Sequence, residues 1–466
     1  MTTQEKIRGR KVGVIGMARS GAAAARLAKS LGATPFVSDS APAAKLAMQT
    51  AELSALGVAF ETGGHTDRLF DSEYVIISPG VSPRTPFVRA LIQRGMPVFS
   101  EVEFAAWFLA GKMIAITGAN GKTTTSTMVY EIMRAANIPA RLVGNVGAPF
   151  SDHVMEIAPD GVAVVEVSSY QLEFIEDFRP DIGVIVNLTR DHLERHGDLR
   201  AYRDAKLRIT ENQGPQDTLI LNIDSSELEP VSVATRATKK YFGQEETLNG
   251  RAIADLSRGV FRRGESLVTT RGGAATTIMS TRQLGTPGAH NVENAMAAAT
   301  AALALGVAPE SIARALTAFK GVEHRIEYVA TAQGVRFVND SKATNIDAVT
   351  KALAAIDTPI VLLMGGRGKG EDFRDLLPHM GNVRGVVALG ETREEIGQAL
   401  RGVTTVRPAD DMSHAVALML EMARPGDTAL LSPACASFDM FDDYEHRGRE
   451  YKSAVRALAE KTEALR

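Results

Sequence analysis

The segment Met113-Ile114-Ala115-Ile116-Thr117-Gly118-Ala119-Asn120-Gly121-Lys122-Thr123-Thr124-Thr125 holds the residue types that cradle a nucleotide's phosphates. An apolar run that reads as a buried strand ends at Thr117-Gly118, turns through small residues and meets Gly121-Lys122-Thr123 where a helix is expected over 123–136. Glycines let backbone amides converge on phosphate oxygens, the helix start adds its dipole, the lysine bridges the β- and γ-phosphates, and the threonine hydroxyl suits Mg²⁺. The full G-x-x-x-x-G-K-[ST] pattern asks for glycine at 116, where this chain has Ile, so the loop is a variant; the plain alternative is a glycine-rich turn with an incidental lysine. Further along, Glu166 interrupts the apolar run 161–167. A carboxylate within such a strand is costly unless paired or metal-bound, so it reads as a second Mg²⁺ ligand, with a core salt bridge as the alternative. His192 follows the apolar run 181–187; hard Mg²⁺ prefers oxygen, so by itself this histidine is an ordinary hydrogen-bonding residue.

These groups need parallel strands to carry them. Residues 11–16 form an apolar run, helical sequence follows from Ser20 to Leu31, and 35–39 resume a strand, which is a β-α-β opening. Its turn, Gly16-Met17-Ala18-Arg19-Ser20-Gly21, is G-x-G-x-x-G with alanine at the middle glycine, and Asp39 stands where a ribose-binding acid belongs. Dinucleotide binding, nucleoside-diphosphate binding and a purely structural turn all remain open. A further strand over 74–78 ends at Pro79-Gly80, and an apolar helical stretch over 101–110 leads into the phosphate loop, so a domain boundary is expected near residue 100. Strand-helix alternation returns after Gly321, with loops 340–345, 366–370 and 432–437 at expected strand ends. Lys369 in the second of these loops reads as a carboxylate binder, with a plain flexible loop as the alternative. Residues 214–290 offer short β-branched runs and turns such as Leu248-Asn249-Gly250, without a defensible catalytic group.

The 466 residues allow about three domains of ordinary size. The 45% hydrophobic and 23% charged content is that of a globular chain, and a net charge of −3 gives no footprint for nucleic acid or an anionic membrane. The longest mostly apolar run, 295–308, is short and alanine-rich, and the first residues lack an apolar signal region, so a cytoplasmic location without membrane insertion is expected. The single cysteine, Cys435, excludes an intramolecular disulfide and a multi-cysteine zinc site.

Taken together, Thr117 to Thr123, Glu166-Val167-Ser168-Ser169-Tyr170-Gln171-Leu172, Asp191-His192-Leu193, Ala205-Lys206-Leu207-Arg208-Ile209, His290-Asn291-Val292-Glu293-Asn294, His324-Arg325 and Asn339 to Asn345 resemble, in order, the motifs of the Mur ligases. The segment 432–439 with Arg447-Gly448 resembles the members of that family that add D-glutamate to UDP-N-acetylmuramoyl-L-alanine. The resemblance implies a three-domain α/β chain: a Rossmann-like UDP-substrate domain over 1–100, a P-loop-type ATP-binding domain over 101–321, and a Rossmann-like amino-acid domain over 322–466. It implies an ATP-dependent ligase of peptidoglycan precursor synthesis that works through an acyl phosphate, with a monomer expected. ATP would be met by Gly118, Asn120, Gly121, Lys122, Thr123, Thr124, Asn291, Asn294, Arg325 and Asp340. The muramoyl substrate falls to Asp39, Asn145 and Ser168, and D-glutamate to Thr344, Lys369, Ser437 and Phe438. Two Mg²⁺ ions are implied, held by Thr123, Glu166, His192 and a carbamate on Lys206, so that Lys122, His192 and Lys206 form the catalytic set. From the residues alone, Lys206 could equally be a solvated helix residue beside Arg208. Arg367 departs from the acidic residue of some relatives. The rival readings are another Mur-type or folylpolyglutamate-type ligase, an NAD-dependent oxidoreductase, and an ATP-driven switch without catalysis.

Overall fold

The computed structural model describes residues 7–188, 198–228, 235–245, 259–271, 274–286, 288–368 and 372–464. Two compact units divide the chain, the first reaching Phe319 and the second beginning at Lys320.

The first unit contains two sheets. Strands β1 (Lys11–Ile15), β2 (Thr34–Asp39), β3 (Ala59–Thr62), β4 (Tyr74–Ile77) and β5 (Val98–Ser100) lie in the order β3-β2-β1-β4-β5. All of these pairings are parallel, and the order reverses at β1, which places the β1 turn at the crevice where open α/β sheets bind ligands.

The second sheet is built from β6 (Lys112–Thr117), β7 (Ala140–Gly144), β8 (Val162–Glu166), β9 (Ile182–Ile185), β10 (Thr218–Asn222), β11 (Thr238–Gln244), β12 (Gly259–Arg263), β13 (Ser266–Arg271) and β14 (Ala274–Ser280). Their order is β14-β13-β12-β11-β10-β9-β6-β8-β7, antiparallel only in the β12-β13-β14 meander. β8 and β9 are buried along their whole length and β6 at all but its first residue, as expected of parallel strands covered on both faces. Consequently β6 is flanked by β8 and β9, and the residues that follow these three strands share one edge. The stretch left blank by sequence reading, 214–290, supplies five of the nine strands; the Leu248-Asn249-Gly250 turn lies outside the described residues. The expected helix after the phosphate loop spans Lys122–Ala135, and that expected near 290–305 spans Ala289–Ala304.

The second unit has one sheet, of β15 (Glu327–Ala332), β16 (Val335–Asn339), β17 (Ile360–Gly365), β18 (Val383–Leu389), β19 (Thr405–Pro408) and β20 (Thr428–Leu431). Its order is β15-β16-β20-β17-β18-β19, with only β15 antiparallel, so the last strand in sequence fills the middle of the sheet. The long helix Tyr444–Ala464, absent from the sequence reading, buries Arg447, Tyr451, Lys452 and Val455 at helical spacing. Two of those four are cations, which hydropathy assigns to the surface.

No helix among the described residues is long and apolar enough to cross a membrane.

Candidate nucleotide and substrate site

Gly121 takes a left-handed conformation (φ +80°) immediately before the helix Lys122–Ala135. A Cβ at this position would lie 2.2 Å from Oδ1 of the buried Asn294, so only glycine lets the two segments meet. Asn294, on the helix Ala289–Ala304, also accepts from the Thr125 hydroxyl (3.3 Å). A second brace, not expected from the sequence, comes from Asn187. Asn187, just past β9, accepts the amides of Ala119 (3.1 Å) and Asn120 (2.9 Å) through Oδ1 and donates back to the Asn120 carbonyl (3.1 Å). A polar residue closing the strand beside the loop strand was its only signal.

Two lysines reach this turn. Lys122 Nζ donates to the carbonyls of Gly118 (2.9 Å) and Ala119 (2.8 Å), and Lys206, from the helix Leu199–Leu207, donates to the Gly118 carbonyl at 2.8 Å. Lys206 is 1% exposed and lies 4.6 Å from the Tyr202 ring centre, which corrects the alternative of a solvated helix residue. Its neighbour Arg208 is also engaged, donating to the carbonyls of Leu172, Glu173 and Ile175.

Glu166 ends β8, in register with Ile116 of β6, and is 1% exposed. Its Oε1 accepts the Asn145 side-chain amide at 2.8 Å, while its Oε2 is buried without a hydrogen-bond partner. A core salt bridge would have satisfied that second oxygen, so this arrangement does not fit the alternative of a paired core carboxylate. An orphaned carboxylate oxygen at the end of β8, and a buried threonine, Thr123, at the start of the helix that follows the neighbouring strand β6, are donor types a hard dication takes. Asn145 belongs to the loop Gly144–Gly147, whose Gly147 carbonyl accepts Arg19 from the β1 turn at 2.7 Å. The turn of the first sheet is thereby linked through Arg19, Gly147, Asn145 and Glu166 to the phosphate loop of the second. Asp39 takes the backbone amides of Met17 (2.7 Å) and Ala41 (2.8 Å), bracing that same turn. Ser168 caps the helix Ser169–Leu172, and Asn291 sits half-buried in the first turn of its helix. His192 lies outside the described residues.

In the second unit, loops gather at the C-terminal edge of the sheet. Asp340 is 4% exposed; Oδ2 accepts the Ser432 hydroxyl (2.8 Å) and Oδ1 the Ile326 amide (3.2 Å). Burial raises its carboxyl to about 7, against the opposing pull of the Ser432 hydroxyl and the nearby Arg325. Arg447, unassigned by sequence reading, is 2% exposed and donates to the Ser341 hydroxyl (3.0 Å) and carbonyl (2.9 Å), the Cys435 carbonyl (3.1 Å) and the Gly365 carbonyl (3.5 Å). One guanidinium therefore ties the three loops that follow β16, β17 and β20. Ser437 is buried, Thr344 is half-buried and Phe438 is 62% exposed. Arg367 pairs with Glu391 (3.1 Å), and its backbone bridges Ala436. Lys369 lies outside the described residues.

A parallel sheet that ends in a glycine-lysine-threonine turn, with a buried carboxylate closing the adjacent strand, defines a nucleoside-triphosphate-binding fold. Family models match three stretches: the MurD N-terminal domain at 11–87, the Mur ligase middle domain at 116–302, and the Mur ligase glutamate ligase domain at 324–435. A protein of Chlorobium phaeobacteroides named UDP-N-acetylmuramoylalanine--D-glutamate ligase is 41% identical over 97% of this chain and 99% of its own length. A protein of the same name from Chlorobaculum tepidum matches at the same identity and coverage. Among solved structures, the UDP-N-acetylmuramate-alanine ligase MurC of Thermotoga maritima superposes with a TM-score of 0.57 at 17% identity, covering 98% of this chain and all of its own. MurF of Acinetobacter baumannii gives 0.56 at 18% identity, over 85% of this chain and 87% of its own. The chain belongs to the Mur ligase family, and within it to the group of D-glutamate ligases.

Proposed function

We propose that this chain joins D-glutamate to UDP-N-acetylmuramoyl-L-alanine at the expense of ATP, giving ADP and phosphate, as a cytoplasmic step of peptidoglycan precursor synthesis carried out by a monomer. The observation that carries this reading is the 41% identity to relatives of that named activity over nearly the whole of both chains.

The chemistry follows from the groups at the edge of the second sheet. The substrate's terminal carboxylate attacks the γ-phosphorus and ADP departs; the D-glutamate amine then attacks the acyl carbon, loses a proton, and phosphate leaves as the amide forms. Such phosphoryl transfer needs positioning and charge neutralisation more than covalent catalysis. Gly118, Asn120, Gly121, Thr123 and Thr124 offer backbone to the phosphates, and Lys122 exchanges its two carbonyl bonds for β- and γ-phosphate oxygens. Mg²⁺, when bound, neutralises phosphate charge, and Thr123 with Glu166 Oε2 would hold it. Lys206, as a carbamate and together with His192, would hold a second ion. Asn291, Asn294, Arg325 and Asp340 are assigned to ATP, Asp39, Asn145 and Ser168 to the muramoyl substrate, and Thr344, Lys369, Ser437 and Phe438 to D-glutamate. The link from Arg19 to Glu166 supports a substrate lying along that line, with its uridine end at the β1 turn.

Phosphate release with ATP, UDP-N-acetylmuramoyl-L-alanine and a panel of amino acids tests the assignment. Release should require D-glutamate; equal release with L-glutamate, glycine or a diamino acid would overturn it.

A further inference from the structure

Beyond Asp39, the C-terminal edge of the first sheet carries a polar network centred on Ser38. The loop Gly63-Gly64-His65 follows β3 and runs beside the end of β2, with the Gly63 amide on the Ala41 carbonyl (2.9 Å) and the Gly64 amide on the Asp39 carbonyl (3.2 Å). The Ser38 carbonyl accepts the Gly16 amide of the β1 turn at 2.9 Å, and its hydroxyl lies 2.6 Å from Glu61 Oε1 and 2.7 Å from His65 Nδ1. The His65 ring packs on Phe87 of the helix Pro86–Gln93, with 5.0 Å between centres. In the order β3-β2-β1 this loop stands two strand spacings, about 10 Å, from the β1 turn, on the side away from β4 and β5.

The protons in this network have one consistent placement. Burial alone would raise the Glu61 carboxyl, but the Ser38 and Thr66 hydroxyls and the Thr66 amide outweigh it and hold the group below the ordinary range, so Glu61 is an ionised acceptor. The single Ser38 proton goes to that carboxylate, because a short charge-assisted bond outcompetes the 3.3 Å alternative to the Gly64 carbonyl. Burial lowers the His65 ring below its ordinary value, against the pull of Asp39 and Glu61, so at neutral pH the ring holds one proton. That proton must sit on Nδ1 and be donated to Ser38, which leaves Nε2 with a bare lone pair. Among the described residues nothing bonds to Nε2, and the half-buried ring leaves that atom in reach of solvent. Two carboxylates beside the ring disfavour a phosphate there, while the Phe87 wall suits a flat, neutral group that carries an N–H.

We propose that His65 reads the base of the substrate's nucleotide, accepting the N3–H of uracil through Nε2; this rests on the reading above in which the uridine end lies at the β1 turn. Cytosine has the same outline but presents a lone pair at N3, so the contact that favours uracil repels it, and a fixed tautomer turns one nitrogen into a discriminator. The test is competition by UDP and by CDP against UDP-N-acetylmuramoyl-L-alanine in phosphate release by the intact chain. UDP should inhibit about tenfold more strongly than CDP, the worth of one hydrogen bond. His65→Phe keeps a ring against Phe87 and should bring the two inhibition constants together, chiefly by weakening UDP. In ¹⁵N-histidine spectra of the unsubstituted chain, the Nε2 resonance of His65 should move as UDP is added. Equal inhibition by the two nucleotides, a UDP preference that survives in His65→Phe, or an Nε2 resonance indifferent to saturating UDP would each overturn the role of His65 and leave the uridine end where it is. Failure of both nucleotides to compete would overturn that reading as well. The comparison of nucleotides and the spectrum need no variant, so they decide the matter however His65→Phe folds.

Discussion

Lys122 and Lys206 reach the same turn from different helices, yet their loss should have different signatures. Lys122 is half-buried and donates to the carbonyls of Gly118 and Ala119 in its own loop, so Lys122→Ala opens no core cavity. Its phosphate release should fall on the order of 10²-fold or more, as when a preorganised electrostatic donor is removed, with an unchanged melting curve. Near-normal turnover in the folded variant would contradict the phosphate-loop assignment. Lys206 lies fully inside the fold. An ammonium repels a nearby dication and has no lone pair to offer, whereas a carbamate supplies two hard oxygens. Lys206→Ala should therefore be nearly inactive and regain part of its activity with added acetate, and Lys206→Arg should remain inactive because guanidinium forms no such adduct. An arginine variant with full turnover would show that positive charge at 206 suffices.

At the scale of elements, the turn before the helix Lys122–Ala135 depends on Gly121 in two ways, backbone conformation and the space claimed by Asn294. Gly264, between β12 and β13, shares a positive φ (+55°) but has nothing within 4 Å of a built Cβ. Gly264→Ala should then cost only the conformational strain, about 1 kcal/mol, while Gly121→Ala should cost more and abolish ATP binding. Melting temperatures with nucleotide titration compare the two, and equal effects would remove Asn294 from the account. In the second unit, Arg447→Met should lower stability by on the order of 3 kcal/mol by leaving buried loop carbonyls unmet. Arg447→Lys should not rescue it, since one ammonium cannot span three loops; a denaturant midpoint restored by lysine would argue that charge alone matters. These two elements also show what sequence could and could not disclose. The strand-turn-helix of the phosphate loop and the carboxylate within the apolar run of β8 were legible because such patterns are local, whereas Lys206 was singled out only by the family resemblance, its residue type alone leaving a solvated helix position equally open. Asn187 was not, because it braces backbone amides far away in sequence, a job many polar residues share. Arg447 was hidden because a buried cation reads as a surface residue, and β10 to β14 because short strands of mixed burial lack a clean period.

Across each whole unit, single buried groups join separately built parts. Glu101, in the helix after β5, is 1% exposed and accepts the Ser151 amide at 2.6 Å, joining the first sheet's last helix to a segment of the second. Burial, only partly opposed by the Ser151 amide, raises its carboxyl from an ordinary 4.5 to about 7. Between those values the unfolded chain has released this proton and the folded chain keeps it. The unfolded state binds fewer protons, so the contribution of Glu101 to stability is largest below about 4.5, falls as pH rises and is lost above about 7. The full effect is roughly 3 kcal/mol. Glu101→Gln should gain on the unsubstituted chain from pH 5 to pH 8 in denaturant unfolding, and a constant difference across that range would contradict the assignment. The second unit raises a question of timing rather than of energy. Its central strand, β20, is the last to be made, so a nascent chain emerging from the ribosome holds β16 and β17 as exposed edges until Leu431 is out. Until then the unit is two open half-sheets, the kind of species that chaperones bind, and the loops that follow β16 and β17 meet the one that follows β20 only once that strand has been made.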